Sequence, residues 1–298
     1  MGKNKNDNCL GLKPTSYQKE QLDLATQFML NYMDIAMSIY EWRGLPETVT
    51  SDIIERFLFW RGMAVFFETE ETGKICLPPT IYNYLNVYGL PQQFGATGVN
   101  GQTFTGLNTS NSVIIKNSPN YVPTFIEVQR LCEELANAYG ARRINVNACK
   151  TPYVLSGDEK ELLSMKNYFE QVSGNSPVIY KNKNKASSDI SLEVANTEVE
   201  YLGGELTTLI TAIKGEILTY LGLANTTIEK KERLVADEVD ANAEEVNNYL
   251  YTRLKERKLA CEQINKMFGT NITVDYNKKL LKEYGIVVKE EQPKESEE

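Results

Sequence analysis

At 298 residues, with 42% hydrophobic and 24% charged side chains and a net charge of −8, the chain has the composition of a folded globular protein that needs neither disulfide nor metal to support its core. The acidic balance opposes avid nonspecific binding to duplex DNA, which grows from Lys and Arg neutralising phosphates and releasing counterions. Histidine is absent, which excludes Ser-His-Asp, Cys-His and HExxH chemistry, and the five cysteines are odd in number, scattered and never in a CxxC pair, so no disulfide framework or zinc site is expected.

The amino end lacks the apolar core of a signal peptide, and no stretch approaches the roughly 18 apolar residues of a membrane helix. A first helix is predicted from Thr15 to about Arg43, because Leu22, Ala25, Phe28, Met29, Tyr32, Met33, Ala36, Ile39 and Tyr40 recur at three and four as one buried stripe. Thr15 and Gln18 read as its capping box, and Gly44 with Pro46 as its stop. A shorter helix starts at Ser51 or Asp52 and runs through IIERFLFW, whose aromatic density implies burial.

Residues 63 to 121 read as a β-rich region: AVFF and KICL flank a turn at Thr72-Gly73, IYNYLNVYG and SVIIK look extended, and the glycine-rich GATGVNGQTFTG between them reads as a loop. No Lys-Ser or Lys-Thr follows those glycines, so a phosphate loop is not expected, and neither a Walker A sequence nor a GxGxxG fingerprint occurs. No cofactor and no catalytic group is predicted. A second long helix covers about Thr124 to Arg143. An extended YVL, a helix through ELLSMKNYFEQV, and the strands SPVIY and DISLEV around a polar turn then predict a strand-helix-hairpin module.

Leu206, Leu209, Ile210, Ile213, Ile217 and Leu221 predict a third long helix over 204–221, about 27 Å long at ~1.5 Å per residue. Its opposite face holds Thr207, Thr208, Thr211, Lys214 and Thr219. A dense run of charge follows. The adjacent acids Asp237-Glu238 and Glu244-Glu245 read as a solvated face and not as a Mg²⁺ site. Residues 245–268 predict another helix closed by Gly269, NITVDY a short strand, and the end of the chain a solvated acidic tail. The predicted fold class is α+β, mainly α.

Several segments resemble, in order and approximate spacing, the portal or upper collar connector of small short-tailed phages of the phi-twenty-nine type. They are YEWRGLP, SVIIKN followed by PTFIEVQRLCEELA, KTPYVL, SGNSPVIY, YLGLANTTIEKKERLVADEV and ACEQINKMFG. The resemblance implies a portal fold assembled as a ring of twelve copies, with long stem helices around a DNA tunnel, a β-containing wing and a small clip. Carried over by position, residues 1–123 and 248–288 correspond to the wing, 124–150 and 196–224 to the stem helices, 151–195 to the clip, 225–247 to a tunnel loop and 289–298 to the acidic tail.

The resemblance further implies a virion protein at one capsid vertex, in host cytoplasm during assembly. Its implied partners are other copies of itself, the major capsid protein, the packaging ATPase, then lower collar and tail proteins, and double-stranded DNA passing without sequence specificity. Tunnel-lining candidates are Glu205, Thr207, Thr211, Lys214, Glu216, Glu229, Lys230, Lys231, Glu232, Arg233, Asp237 and Glu238, whose charges recur around a ring as alternating basic and acidic belts. Lys214 is the one lysine in the helix where family members carry channel lysines. The family's arginine-rich amino end is reduced to Lys3, Lys5 and Lys13, with Lys3 and Lys5 as weak nucleic-acid contacts, which leaves a packaging RNA open. The alternatives are another collar or tail adaptor ring and a histidine-free α+β enzyme.

Overall fold

A computed structural model describes residues 16–81, 85–149, 153–157, 178–182, 191–194, 200–223 and 236–284. The chain forms two compact units, Met1–Ala136 with Thr211–Glu298, and Asn137–Ile210. The described elements, in order, are α1 (Ser16–Met37), β1 (Tyr40–Arg43), α2 (Ser51–Arg61), β2 (Met63–Thr69), β3 (Gly73–Leu77), β4 (Pro79–Ile81), β5 (Gln93–Thr97), β6 (Thr103–Asn108) and β7 (Ser112–Lys116). Then follow α3 (Phe125–Ala148), β8 (Tyr153–Gly157), β9 (Val178–Asn182), β10 (Ser191–Val194), α4 (Gly203–Leu221), α5 (Ala236–Phe268), β11 (Thr273–Tyr276) and α6 (Lys278–Glu283). The mixed α+β class is as expected, and among the described residues no helix is long and apolar enough to cross a membrane.

In the larger unit the first helix stops at Met37, short of the expected Arg43. Residues 40–43 instead pair antiparallel with β11, Tyr40 opposite Tyr276 and Trp42 opposite Val274. The reason lies in side-chain period: Tyr40 and Trp42 are buried while Glu41 and Arg43 are exposed, the alternation of a half-buried strand. Gly44 closes the strand at φ 73°, and a Cβ there would collide with the backbone carbonyl of Asn271. α1 itself buries less of its stripe than expected, since Ala25 is buried while Phe28, Met29, Tyr32 and Met33 are half-buried and Leu22 is exposed.

α2 begins where the sequence indicates. Thr50 caps it by accepting a hydrogen bond from the Ile53 amide, and Gly62 ends it in the left-handed conformation. β2 follows, central in the sheet β3-β2-β7, and a second sheet runs β4-β5-β6. β2 is buried on both faces, which suits the unbroken apolar run AVFF. Val65 and Phe67 join Phe94, Ala96 and Leu107 of the second sheet in one cluster, with Phe67 and Phe104 ring centroids 5.1 Å apart. From the other face Phe66 meets Phe268 of α5 at 5.4 Å.

The glycine-rich stretch expected as a loop is a β5–β6 hairpin. Its turn is closed by the Gly98 amide donating to the Gln102 carbonyl, with Gly101 at φ 83°. α5 begins at Ala236, upstream of the expected residue 245, so the backbone of 236–247 is helical while 224–235 lies outside the described residues. Its carboxyl end is stapled to β11: the Asn265 side chain accepts from the Ile272 amide at 2.7 Å and donates to the Ile272 carbonyl at 2.8 Å.

In the smaller unit the strands are ordered β10-β8-β9. The expected hairpin of SPVIY with DISLEV is therefore corrected: the strands observed there, β9 and β10, flank β8, β10 antiparallel to it and β9 parallel. A parallel pair needs a crossover of a dozen residues or more, and the chain between β8 and β9 has that length. The helix expected in this crossover, like the Thr15 cap and the acidic tail, lies outside the described residues. At the start of α4, Asn145 of α3 holds the chain by donating to the Glu200 carbonyl at 2.9 Å and accepting from the Leu202 amide at 3.0 Å.

Candidate functional site: a polar helix face and a buried arginine network

α4 is helical because Ile210, Ile213, Ile217 and Leu221 recur at three and four and are all buried. Glu205 in its first turn favours the positive end of the helix dipole. Its threonines avoid the usual loss of helix preference by bonding backward: Thr207 Oγ1 donates to the Gly203 carbonyl at 2.7 Å and Thr208 Oγ1 to that of Gly204 at 3.1 Å. Glu205, Thr207, Thr208 and Glu216 are exposed, and Thr211, Lys214 and Thr219 are half-buried. Leu209, expected on the buried face, is 48% exposed among these polar groups.

Glu216 approaches the Arg130 guanidinium of α3 at 3.7 Å. Arg130 also pairs with Glu134 at 2.6 Å and with Glu127 one turn before it, so one cation serves three carboxylates. The hydrogen bond to Glu127 is the main reason its pKa stands above the ordinary arginine value, although the group is solvent-exposed. The cluster is a net acidic surface.

A second arginine cluster lies in the interior. Arg257 of α5 is 2% exposed and donates from Nε and Nη2 to the two oxygens of Glu55 on α2, at 2.8 and 2.7 Å. Trp42 Nε1 donates to the same Glu55 at 2.8 Å, and Arg257 Nη2 also donates to Asn117 Oδ1 at 3.2 Å. Asn117 passes the chain on to the Val122 carbonyl and Thr124 Oγ1, both at 2.9 Å. Arg257 Nη1 donates to the Arg253 carbonyl at 3.0 Å, and its guanidinium lies 4.1 Å over the Tyr40 ring. Arg253 in turn stacks on Tyr220 at 4.8 Å.

Burial opposes the Arg257 charge, but the charge and hydrogen bonds of Glu55 together outweigh it and hold the guanidinium above the usual arginine range. Burial pushes the Tyr40 phenol up, with Arg257 and Arg253 pulling it back. The adjoining cavity holds about 20 Å³, far below the several hundred of a small-molecule site. The network therefore organises the fold and has no room for a ligand. The buried Cys132 and Cys261 thiols are pushed up to about 12 by burial and neighbouring glutamates, and burial raises Cys76 as well, which leaves all three unreactive near neutral pH.

Against known families, Phage Connector (GP10) matches residues 15–281 of the 298. The chain belongs to the phage connector family. Among solved structures the connector is similar to a chain of the portal and tail of native bacteriophage P68, at 16% identity, 90% of this chain, 92% of that chain and a TM-score of 0.47. It is also similar to a chain of the virion of a native gene transfer agent particle, at 9% identity, 89% and 84% coverage and a TM-score of 0.47. An HK97 family phage portal protein from Corynebacterium diphtheriae matches at 12% identity, 89% and 96% coverage and a TM-score of 0.44.

Of the connector's sequence-predicted site residues, α4 carries Glu205, Thr207, Thr211, Lys214 and Glu216 on one helix. Asp237 and Glu238 lie on the helical backbone at the start of α5, while Lys3, Lys5, Lys13, Glu229, Lys230, Lys231, Glu232 and Arg233 lie outside the described residues. Glu216 is brought to Arg130, a residue the sequence reading did not single out. That reading also missed the Trp42, Glu55, Asn117 and Arg257 network. Its available signal was a charged residue at an apolar position of each helix, Glu55 in IIERFLFW and Arg257 between Leu254 and Cys261.

Proposed function

We propose that this connector is the non-enzymatic portal of a short-tailed phage of the phi-twenty-nine type, a ring of twelve copies whose axis is the conduit for double-stranded DNA in packaging and ejection. The observation that carries the reading is the family match across residues 15–281. The polar face of α4 supports it, since threonines and alternating charges offer DNA many weak contacts in place of a deep well. In this reading residues 124–150 and 196–224 are the stem, 151–195 the clip and 225–247 the tunnel loop. The wing is built from 1–123 and 248–288. The ring sits against the major capsid protein, docks the packaging ATPase during filling, and afterwards takes the lower collar and tail proteins.

Negative-stain microscopy with sedimentation tests the reading. Twelve chains of 33.8 kDa give a ring of roughly 400 kDa with a central hole seen end-on. A chain that stays monomeric under all conditions overturns it. For the loop, deletion of 229–246 is expected to leave rings that assemble and begin packaging yet fail to retain the genome; normal retention refutes that role.

A further inference from the structure

Between Lys74 and Lys116 the sequence contains no Asp, Glu, Lys or Arg, although 24% of the whole chain is charged. This segment builds the β4-β5-β6 sheet, a turn within residues 85–91 before β5 and the turn at 98–102 after it. The turn before β5 presents Val87 at 92% and Tyr88 at 83% exposure, flanked by Leu85 and Leu90, and the turn after β5 presents Val99 at 98%. Between the two tips the exposed side chains are Thr80, Gln93, Thr103 and Thr105, none of them charged. β5 spans roughly 17 Å at ~3.3 Å per residue, so this uncharged, partly apolar surface extends along a whole sheet.

Such a surface left in water is a liability. Soluble proteins place charge on exposed sheets and turns to keep other chains away, and β4 and β6, the outer strands of this sheet, carry none. Charge also selects the occupant. A polyanion would need cations, and there are none between Lys74 and Lys116. A strongly basic protein partner would find no carboxylate. Another copy of this chain carries the same net −8 and is repelled by the acidic surfaces elsewhere, such as the Arg130 cluster with its three glutamates. Here it meets no like charge, while Val87, Tyr88 and Val99 supply apolar area to bury.

We propose that the uncharged surface of β4-β5-β6, with Val87, Tyr88 and Val99 at its ends, is an interface on which a second copy of this chain packs. The proposal rests on the ring reading above and assigns part of the contact that closes the ring. A stable contact buries about 800 Å² on each partner, so this sheet face and its two turns supply a part of such a contact and not the whole of it.

The test is the double substitution Val87→Lys with Val99→Glu in the full chain, which keeps the net charge at −8 and alters two side chains with no role in the fold. Unchanged circular dichroism and melting of the dissociated chain verify folding. Sedimentation velocity and negative stain across a dilution series are expected to show the wild type as rings and the variant dissociating at a concentration at least tenfold higher. Variant rings that persist to the wild-type dilution overturn the surface assignment alone. Variant rings that form normally but are missing from heads overturn it and give the surface to a different virion protein. A wild-type chain that never leaves the monomer overturns the ring reading together with this one.

Discussion

Two arginine–glutamate clusters in this connector use the same chemistry in opposite surroundings. Arg130 holds Glu127, Glu134 and Glu216 on the surface of α3 and α4, where water screens each pair. Arg257 holds Glu55 in the interior, where both groups have lost water and each depends on the other, on Trp42, on Asn117 and on the Tyr40 ring. The number of carboxylates near an arginine is thus a poor guide to its importance. The cluster with three carboxylates shapes a surface, and the one with a single carboxylate ties α2, β1, the β7–α3 connection and α5 together.

The contrast is sharpest if each cluster is broken. Arg257→Ala leaves Glu55 charged and unpaired in the core and is expected to destabilise the folded chain by about 3–5 kcal/mol, read as a large fall in the denaturation midpoint. The double variant Glu55→Leu with Arg257→Met removes both charges and should cost clearly less than the two single changes added together. A double-mutant cycle that proves additive would break the comparison. Next in size, Thr50→Ala removes the cap that positions Glu55 on α2 and is expected to cost about 1 kcal/mol in equilibrium unfolding. Arg130→Ala, by contrast, should leave the melting temperature unchanged within error in moderate salt. A marked fall there would erase the distinction between the two clusters.

A last contrast concerns the thiols Cys132 and Cys261, which lie on α3 and α5. Cys132 and Cys261 stay protonated in the folded state up to about 12, whereas an unfolded thiol ionises near ~8.5. The folded state therefore holds protons that the unfolded state releases. Their contribution is full below about pH 8.5 and is lost as pH rises from there toward 12. Thiol reagents at pH 8 should label Cys132 and Cys261 only after denaturation, and rapid labelling of the native chain would contradict their burial.

Local patterns in the sequence were enough to place α2, the β2–β3 hairpin, β7, α3 and α4, since each combines one clear period with a recognisable start or stop. They misled where one residue fits two periods. Ile39 and Tyr40 continue the three-and-four spacing of α1, yet Tyr40 and Trp42 also alternate as a strand, and the choice is made by β11, far away in the sequence. The parallel pairing of β8 with β9 is hidden for the same reason, because sequence adjacency favours a hairpin of β9 and β10. On the site, the polar face of α4 was readable from its threonines. The Glu55–Arg257 pair was not, because RLKERKLA has the look of a solvated helix face and its partner stands 202 positions away.

That separation orders events during synthesis. Trp42, Glu55 and Asn117 leave the ribosome long before residue 257 exists, and until α5 emerges the Glu55 carboxylate has no guanidinium to meet. The amino-terminal half is therefore held incomplete while the rest of the polypeptide is made, and a product released early keeps a stranded anion where its interior should close. An interior that its last long helix must complete can close only in the finished chain.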